Sequence, residues 1–460
     1  MSAVPPRPRR VAVVGSGASG LLVAVHLLRG PSATEVELVE RAHAGGVAYG
    51  THEPAHRLNV PAIGMSAFPD APGDLVAWAV AHGFVGDPEA FLPRIAYARY
   101  LADRVAAAEA APAHPRSSLA RRRGEVVGLV RTDAGWRLRL AGGDVLDADV
   151  VVLATGHGPP VDPLAALGGA ALDAARYARD AWAPGALDGL RPANDVLVLG
   201  AGLTFVDLVL SRHGAGATGR TIGLSRRGLL PLSHRRDGAG PPRPVDVAAV
   251  AAAPTLRARL AAVRRLAADE TARGGDRRDV IGALRAGTPT HCATLSPADR
   301  ARFLRHVRTC WDVHRHRTAP DVADVVARAR VAGRGAGFAG PVVAATPTPR
   351  GVAVTWRPRG RAAPERLEVA RIVNATGTSL DLRRPTEPLF RDLAASGAYR
   401  ADPLGLGLAT DDDGAVLDAA GRAHEALFAI GPLRMGDRWE STAVPELRGQ
   451  AAALAARLAR

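Results

Sequence analysis

The chain contains no lysine, so the 59 Lys-plus-Arg positions are all arginine. That absence excludes Schiff-base catalysis through a lysine and the phosphate-gripping lysine of a P-loop. Cysteine occurs twice, as Cys292 and Cys310. With no C-x-x-C pair, a dithiol redox centre, a zinc site and a disulfide framework all lose their ligands, and a reducing cytoplasm is expected. Aromatic residues make up 4% of the chain. Together with abundant alanine and arginine in place of lysine, this composition reads as a GC-rich coding bias. Long apolar runs are also missing, because Gly, Arg or Pro interrupts each within a dozen residues, so no membrane span is expected. The stretch Met1 to Arg10 has charge but no apolar core behind it, which argues against a signal peptide.

What is present is enough for more than one core: 460 residues, 47% of them apolar. The formal charge of +14 comes from arginines spread along the chain, with short runs such as Arg121-Arg122-Arg123. This texture fits a solvated basic surface that attracts phosphates and acids, rather than a nucleic-acid interface.

Two glycine-rich turns dominate the pattern. Val11 to Val14 leads into Gly15-Ser16-Gly17-Ala18-Ser19-Gly20, and Leu153-Ala154-Thr155-Gly156 follows downstream. Val196 to Leu199 leads into Gly200-Ala201-Gly202-Leu203-Thr204, and Asn374-Ala375-Thr376-Gly377 follows. Two such turns in one order imply a protein that holds two dinucleotides face to face. In the first, Gly15 permits the tight turn, Gly17 the approach of a pyrophosphate, and Gly20 close helix packing. The helix N-terminus at Ser19 offers amide donors to the diphosphate. Glu40, followed by Arg41, ends the next predicted strand 20 residues after Gly20, where a carboxylate accepts hydrogen bonds from a ribose. The second turn keeps Gly200 and Gly202 but has Val206 where a third small residue is expected. Its next strand ends in Ser225-Arg226-Arg227, and arginines there suit the 2′-phosphate of NADPH.

The predicted fold class is α/β with two Rossmann-like domains. One is discontinuous, from residues 1–190 and 378–460; the other, 191–377, is inserted between them. Strands are expected at Val36–Val39, Glu125–Val130, Trp136–Leu140, Asp149–Leu153, Thr221–Ser225, Gly351–Trp356, Arg371–Asn374 and Ala426–Gly431. Helices are expected at Leu21–Leu28, Arg94–Ala111 and from Pro445 onward. A helical insertion spans about 245–335, with one helix opened by Ser296-Pro297 and another near Pro320.

Further blocks carry a resemblance. They are Gly46-Val47-Ala48-Tyr49-Gly50-Thr51, Leu58-Asn59-Val60-Pro61 with Met65-Ser66, Phe91-Leu92-Pro93-Arg94 and Tyr97-Ala98-Arg99-Tyr100-Leu101. Phe303 to His306, Trp311 to Arg317, Gly431-Pro432-Leu433-Arg434 and Trp439 to Arg448 complete them. Through these the chain resembles bacterial FAD/NAD(P)-binding proteins distantly related to flavin N-hydroxylating and Baeyer–Villiger monooxygenases. The resemblance implies FAD in the discontinuous domain, lined by Gly46 to Thr51, Leu58 to Pro61 and Met65. It places Val127 against the adenine and Gly431 against the ribityl diphosphate, and Pro432 replaces an acid common in related proteins. Ser441, Thr442 and Ala443 lead into a helix that would aim its amides at the flavin, or would simply dock.

The implied activity is NADPH-dependent, FAD-mediated oxygenation of a small molecule by molecular oxygen, with N-hydroxylation of an amine or amino acid favoured. A flavin dehydrogenase or oxidase without nicotinamide, and a non-catalytic FAD-binding partner protein, stay open through Val206 and Pro432. His306, Asp312, His314 and Arg317 are the candidate acid, base and anion-binding groups. They suit a carboxylate-bearing substrate, and no acidic cluster or cysteine completes them into a metal site.

Overall fold

The computed structural model describes residues 7–41, 46–236 and 242–460, and within the helix Arg277–Ala293 leaves out the side chains of 286 and 289–293. The stretch Met1 to Pro6 and the Cys292 side chain therefore lie outside the described residues. The chain divides into two compact units. The first takes Met1–His52, Val60–Gly158 and Leu380–Arg460, and the second takes Glu53–Asn59 and Pro159–Ser379.

The first unit is built on six strands. Their order is Ala415–Leu417, Ala423–Ala429, Val150–Leu153, Arg9–Val14, Thr34–Glu40 and Ser118–Arg123. All neighbours pair in parallel except the first two. The central strands are continuous apolar runs because helices bury both faces of a parallel sheet. Val11, Ala12, Val13, Val151 and Val152 are fully buried. The edge strand Ser118–Arg123 escapes a reading by apolar pattern, since it is mostly exposed and polar. It contains the arginine run, with Arg121 bonded to Glu109 at 2.7 Å and Arg122 facing Glu37 at 3.5 Å. Charge on an edge strand blocks further pairing, so the run has a structural reason to exist.

The second unit repeats the plan with five parallel strands: Gly335–Ala339, Thr221–Ser225, Val196–Leu199, Arg371–Asn374 and Tyr177–Ala178. Residues 159–190 go with this unit because Tyr177–Ala178 pairs with Ile372 and Val373. Each unit also has an antiparallel meander, Val126–Thr132 with Gly135–Leu140 and Val145–Ala148 in the first, and Val342–Thr348 with Gly351–Trp356 and Glu365–Val369 in the second. The insertion is helical, from Ala248–Ala252 through Leu256–Ala272, Arg277–Ala293 and Pro297–Arg302 to Arg308–Arg315 and Pro320–Val331. As expected, Ser296 caps Pro297–Arg302 by accepting from Asp299 N at 3.1 Å.

Candidate functional site

The two glycine turns are closed in the same way. Gly15 N donates to Val39 O at 2.8 Å and Ala154 N to Val14 O at 2.9 Å. In the second unit Gly200 N donates to Leu224 O and Ala375 N to Leu199 O, both at 2.8 Å. Gly15 and Gly200 have φ of +108° and +117°. A Cβ on Gly15 would lie 2.9 Å from the carbonyl carbon of Ala154, and one on Gly200 would lie 2.7 Å from that of Ala375. Each Ala-Thr-Gly strand end thus rests directly on its glycine, which explains why turn and tripeptide come as a pair. Thr155 and Gly156 continue the first such end, and the Thr376 hydroxyl donates to Asn374 Oδ1 at 2.7 Å in the second.

The helices that follow, Ala18–Leu28 and Leu203–Gly214, both start without a side-chain cap. First-turn amides of this kind can serve an acceptor from outside the helix. The turns differ at the fifth residue after the first glycine, which is Gly20 in one and Phe205, not Val206, in the other. A Cβ on Gly20 would overlap the Gly15 carbonyl. Phe205 is buried instead against the next strand, where Gly223 makes room; a Cβ there would be 2.9 Å from Phe205 Cε2. The strand residue at that register in the first unit is Leu38, paired with Val13 as Gly223 is with Val198. Small helix residue with large strand residue has been exchanged for the reverse, so the second helix docks without a third glycine.

In the first unit several buried polar atoms have no hydrogen-bond partner among the described residues. They are Ser16 Oγ, Glu40 Oε1, Tyr97 OH and Ser441 Oγ. Buried polar groups in folded proteins are ordinarily paired, so each of these atoms is open to an acceptor or donor from a bound polar ligand. Gly46, at φ +61°, opens the short helix Gly46–Tyr49 and brings its backbone to Gly17; a Cβ there would be 3.0 Å from Gly17 Cα. Ala48 is exposed, and the Tyr49 ring meets Tyr97 at 4.7 Å. Burial pushes the Tyr49 hydroxyl up to about 12, against the pull of Arg94, so it stays protonated.

The end of Ala423–Ala429 passes over the same helix start. Gly431 has φ +79°, and a Cβ on it would be 2.6 Å from Ser19 Oγ. Pro432 follows in a buried 3₁₀ turn. Ser441 is fully buried, Thr442 half-buried, and Ala443 is the uncapped start of Val444–Leu458. Val127 falls at a bulge, where Val126 pairs with Leu140 and Gly128 with Arg139. The extra residue of a bulge is left out of the ladder, so its backbone is available. Arg41 is tied to Glu387 at 3.1 Å and Glu125 at 3.5 Å. Val60 and buried Met65 belong to the first unit, Leu58 and Asn59 to the second.

In the second unit a Cβ on Gly202 would meet nothing within 4 Å, so space is open at the helix start beside Thr204. Ser225 Oγ accepts from Gly228 N at 3.0 Å, which holds the loop carrying the two arginines. Arg226 is exposed. Arg227 donates to the His306 carbonyl at 2.8 Å and so fastens the loop to a π-helical turn, Phe303–Val307, in the insertion.

The candidate catalytic groups are each held locally. His306 is exposed on that π turn. Asp312 faces Arg308 at 3.6 Å, and His314 Nδ1 is 2.8 Å from Cys310 O. Arg317 lies beyond the helix end and donates to His314 O at 2.8 Å and Arg278 O at 3.2 Å. Burial, and then Arg278 alongside, pull its pKa down to about 10. His234, which the sequence did not single out, has Nε2 3.0 Å from Asn59 O.

Burial pushes both His234 and His316 down to about 4 from the usual 6.5. Arg315, Arg285 and Arg308 reinforce this for His316. At His234 the bond to Asn59 opposes it, while Arg317, Arg315 and Arg278 add to it. The unfolded chain therefore binds more protons than the folded one between about pH 6.5 and 4. Stability is intact above that window and is lost as pH falls through it. The melting temperature is expected to drop between pH 7 and 5, and His316→Gln to flatten that slope; a flat wild-type profile would contradict this.

Three comparisons bear on these sites. Residues 12–158 match a protein-family model described as FAD-NAD(P)-binding. No curated protein matches the chain. Among solved structures it is similar to the Kutzneria sp. 744 ornithine N-hydroxylase with reduced FAD, NADP+ and L-ornithine, at 18% identity and a TM-score of 0.59 over 98% of each chain. It is similar to the FAD-bound cadaverine monooxygenase of Erwinia amylovora, at 12% identity and a TM-score of 0.64 over 98% of this chain and 95% of that one. It is also similar to the thioredoxin reductase of T. acidophilum, at 13% identity and a TM-score of 0.54 over 98% of each chain. The fold is thus that of two-unit FAD/NAD(P) oxidoreductases.

Proposed function

We propose that the first unit binds FAD, the second binds NADPH, and the protein is a monooxygenase that oxidises the nitrogen of a small amine or amino acid. The observation that carries this reading is the pair of identically closed turns, each under a helix start left uncapped. Orphaned Ser16, Glu40 and Ser441, the Gly17–Gly46 approach and the bulge at Val127 fit an FAD diphosphate, ribose and adenine in the first unit. FAD, once bound, supplies hydride acceptance and oxygen activation. The chain's own part is to hold it, exclude water and present the substrate. Gly20 and Phe205 are alternative solutions to one packing problem, so a missing third glycine is no reason to deny the second unit its nucleotide. Cys292 and Cys310 stand far apart in sequence, which disfavours dithiol chemistry of the thioredoxin-reductase kind and fits a cytoplasmic protein. Arg315 and Arg317, in the insertion, suit the carboxylate of an amino-acid substrate.

The test is aerobic turnover of the FAD-loaded protein with NADPH over a panel that includes ornithine and cadaverine. A hydroxylamine product whose yield tracks NADPH consumed is expected. Consumption that ends only in hydrogen peroxide with every amine would contradict the oxygenase assignment. Arg226 supplies a narrower prediction. Losing one charge-assisted contact to a 2′-phosphate costs about 2 kcal/mol, roughly 30-fold. Arg226→Ala should raise the Kd for NADPH by that factor and leave NADH unchanged, as read by nucleotide titration. Equal effects on both nucleotides would remove Arg226 from phosphate recognition.

A further inference from the structure

Tyr97 combines features that packing alone does not explain. It is fully buried, on the helix Arg94–Ala110, and its hydroxyl has no hydrogen-bond partner among the described residues. Its neighbour Tyr100 is equally buried but fully used: its hydroxyl donates to Asp74 Oδ2 at 2.6 Å and accepts from Ala67 N at 2.8 Å. The two rings are 5.7 Å apart, so one helix holds a satisfied and an unsatisfied phenol in the same surroundings. A buried hydroxyl with no partner is costly, and phenylalanine would fill the same space without that cost.

The position of Tyr97 says what the hydroxyl is for. Its ring meets Tyr49, the last residue of the short helix whose first residue, Gly46, touches the Gly17 backbone. Arg448, on the C-terminal helix behind Ser441, acts on Tyr97 electrostatically and donates to Ser66 O at 3.2 Å. Two segments of the first unit, the short helix that reaches Gly17 and the C-terminal helix, therefore act on this one phenol. Burial raises its pKa well above the ordinary value, so the phenol keeps its proton and is a donor at neutral pH.

We propose that the Tyr97 hydroxyl, orphaned in the chain itself, donates a hydrogen bond to an acceptor atom of bound FAD and is a positioning residue for that cofactor. This rests on the reading that the first unit holds FAD. The test compares wild type, Tyr97→Phe and Tyr100→Phe in two measurements: thermal stability of the FAD-free protein, and FAD affinity by flavin fluorescence titration. Tyr97→Phe is expected to melt about 2 °C higher without FAD and to bind FAD about tenfold more weakly. Tyr100→Phe is expected to melt lower and bind FAD as wild type does. If Tyr97→Phe binds FAD as tightly as wild type, the inference is overturned while the FAD reading stands. If wild type takes up no FAD, the reading itself fails and this inference goes with it.

Discussion

Gly20→Ala is expected to abolish FAD uptake and destabilise the protein by on the order of 3 kcal/mol, whereas Gly17→Ala should lose FAD with little change in stability. The difference follows from what the added methyl meets. At Gly20 it would overlap the Gly15 carbonyl and approach Val13 Cγ1 at 3.4 Å. One belongs to the turn and the other to the strand Arg9–Val14, so strand and helix must separate. At Gly17 the methyl would find only Gly46 Cα, at 3.8 Å, an ordinary contact. The empty protein tolerates that group, but a diphosphate drawn to the helix start does not. Stability of the FAD-free variants by chemical denaturation, followed by FAD titration, separates the two effects. If Gly17→Ala keeps wild-type affinity, the close backbone approach assigned to that glycine is wrong.

Gly200→Ala should leave FAD affinity near wild type and slow flavin reduction by NADPH at least about 100-fold. Gly200 is held at φ +117° with the Ala375 carbonyl against it and Thr376 N 3.3 Å from where a Cβ would stand. Left-handed strain plus a backbone clash is worth on the order of 3 kcal/mol, and the local relief is to displace the turn or the Ala-Thr-Gly end. Either movement spoils the helix start offered to NADPH. The second unit has a core of its own, including Leu197, Ile222, Val354 and Ile372, so its turn can fail without dissolving the first unit. Stopped-flow reduction of the FAD-loaded variant reads the effect. Wild-type rates would mean that nicotinamide does not use this turn.

The features legible in the sequence were those fixed by backbone geometry. A positive-φ glycine under a carbonyl cannot be replaced, so both turns and both Ala-Thr-Gly ends stood out. Buried parallel strands such as Val150–Leu153 and Val196–Leu199 announced themselves as apolar runs. The end of the strand at Glu40 was legible because a strand of fixed length puts its last residue at a fixed distance from the turn. Features decided by packing partners far away in sequence were not. The strand Ser118–Arg123 has no apolar period, because it is an exposed edge whose pairing with Thr34–Glu40 needs no buried apolar side chains of its own. The Phe205–Gly223 exchange is visible only when helix and strand are seen together. His234 gave no signal, since its environment is assembled from Asn59 and arginines 44 or more residues away. Ser16 and Tyr97 looked like ordinary members of their segments, and only burial without a partner distinguishes them. The block from His306 to Arg317 was visible as a cluster, yet its π turn and the bond from Arg227 are tertiary features.

In the proposed scaffold one nucleotide turn holds a flavin and the other delivers its electrons. The direct measurement is to load the purified protein with FAD, exclude oxygen, and mix it with NADPH or with NADH. Rapid loss of the yellow flavin absorbance with NADPH, and much slower loss with NADH, is the predicted result. A protein that binds FAD but keeps its colour with both nucleotides would contradict it.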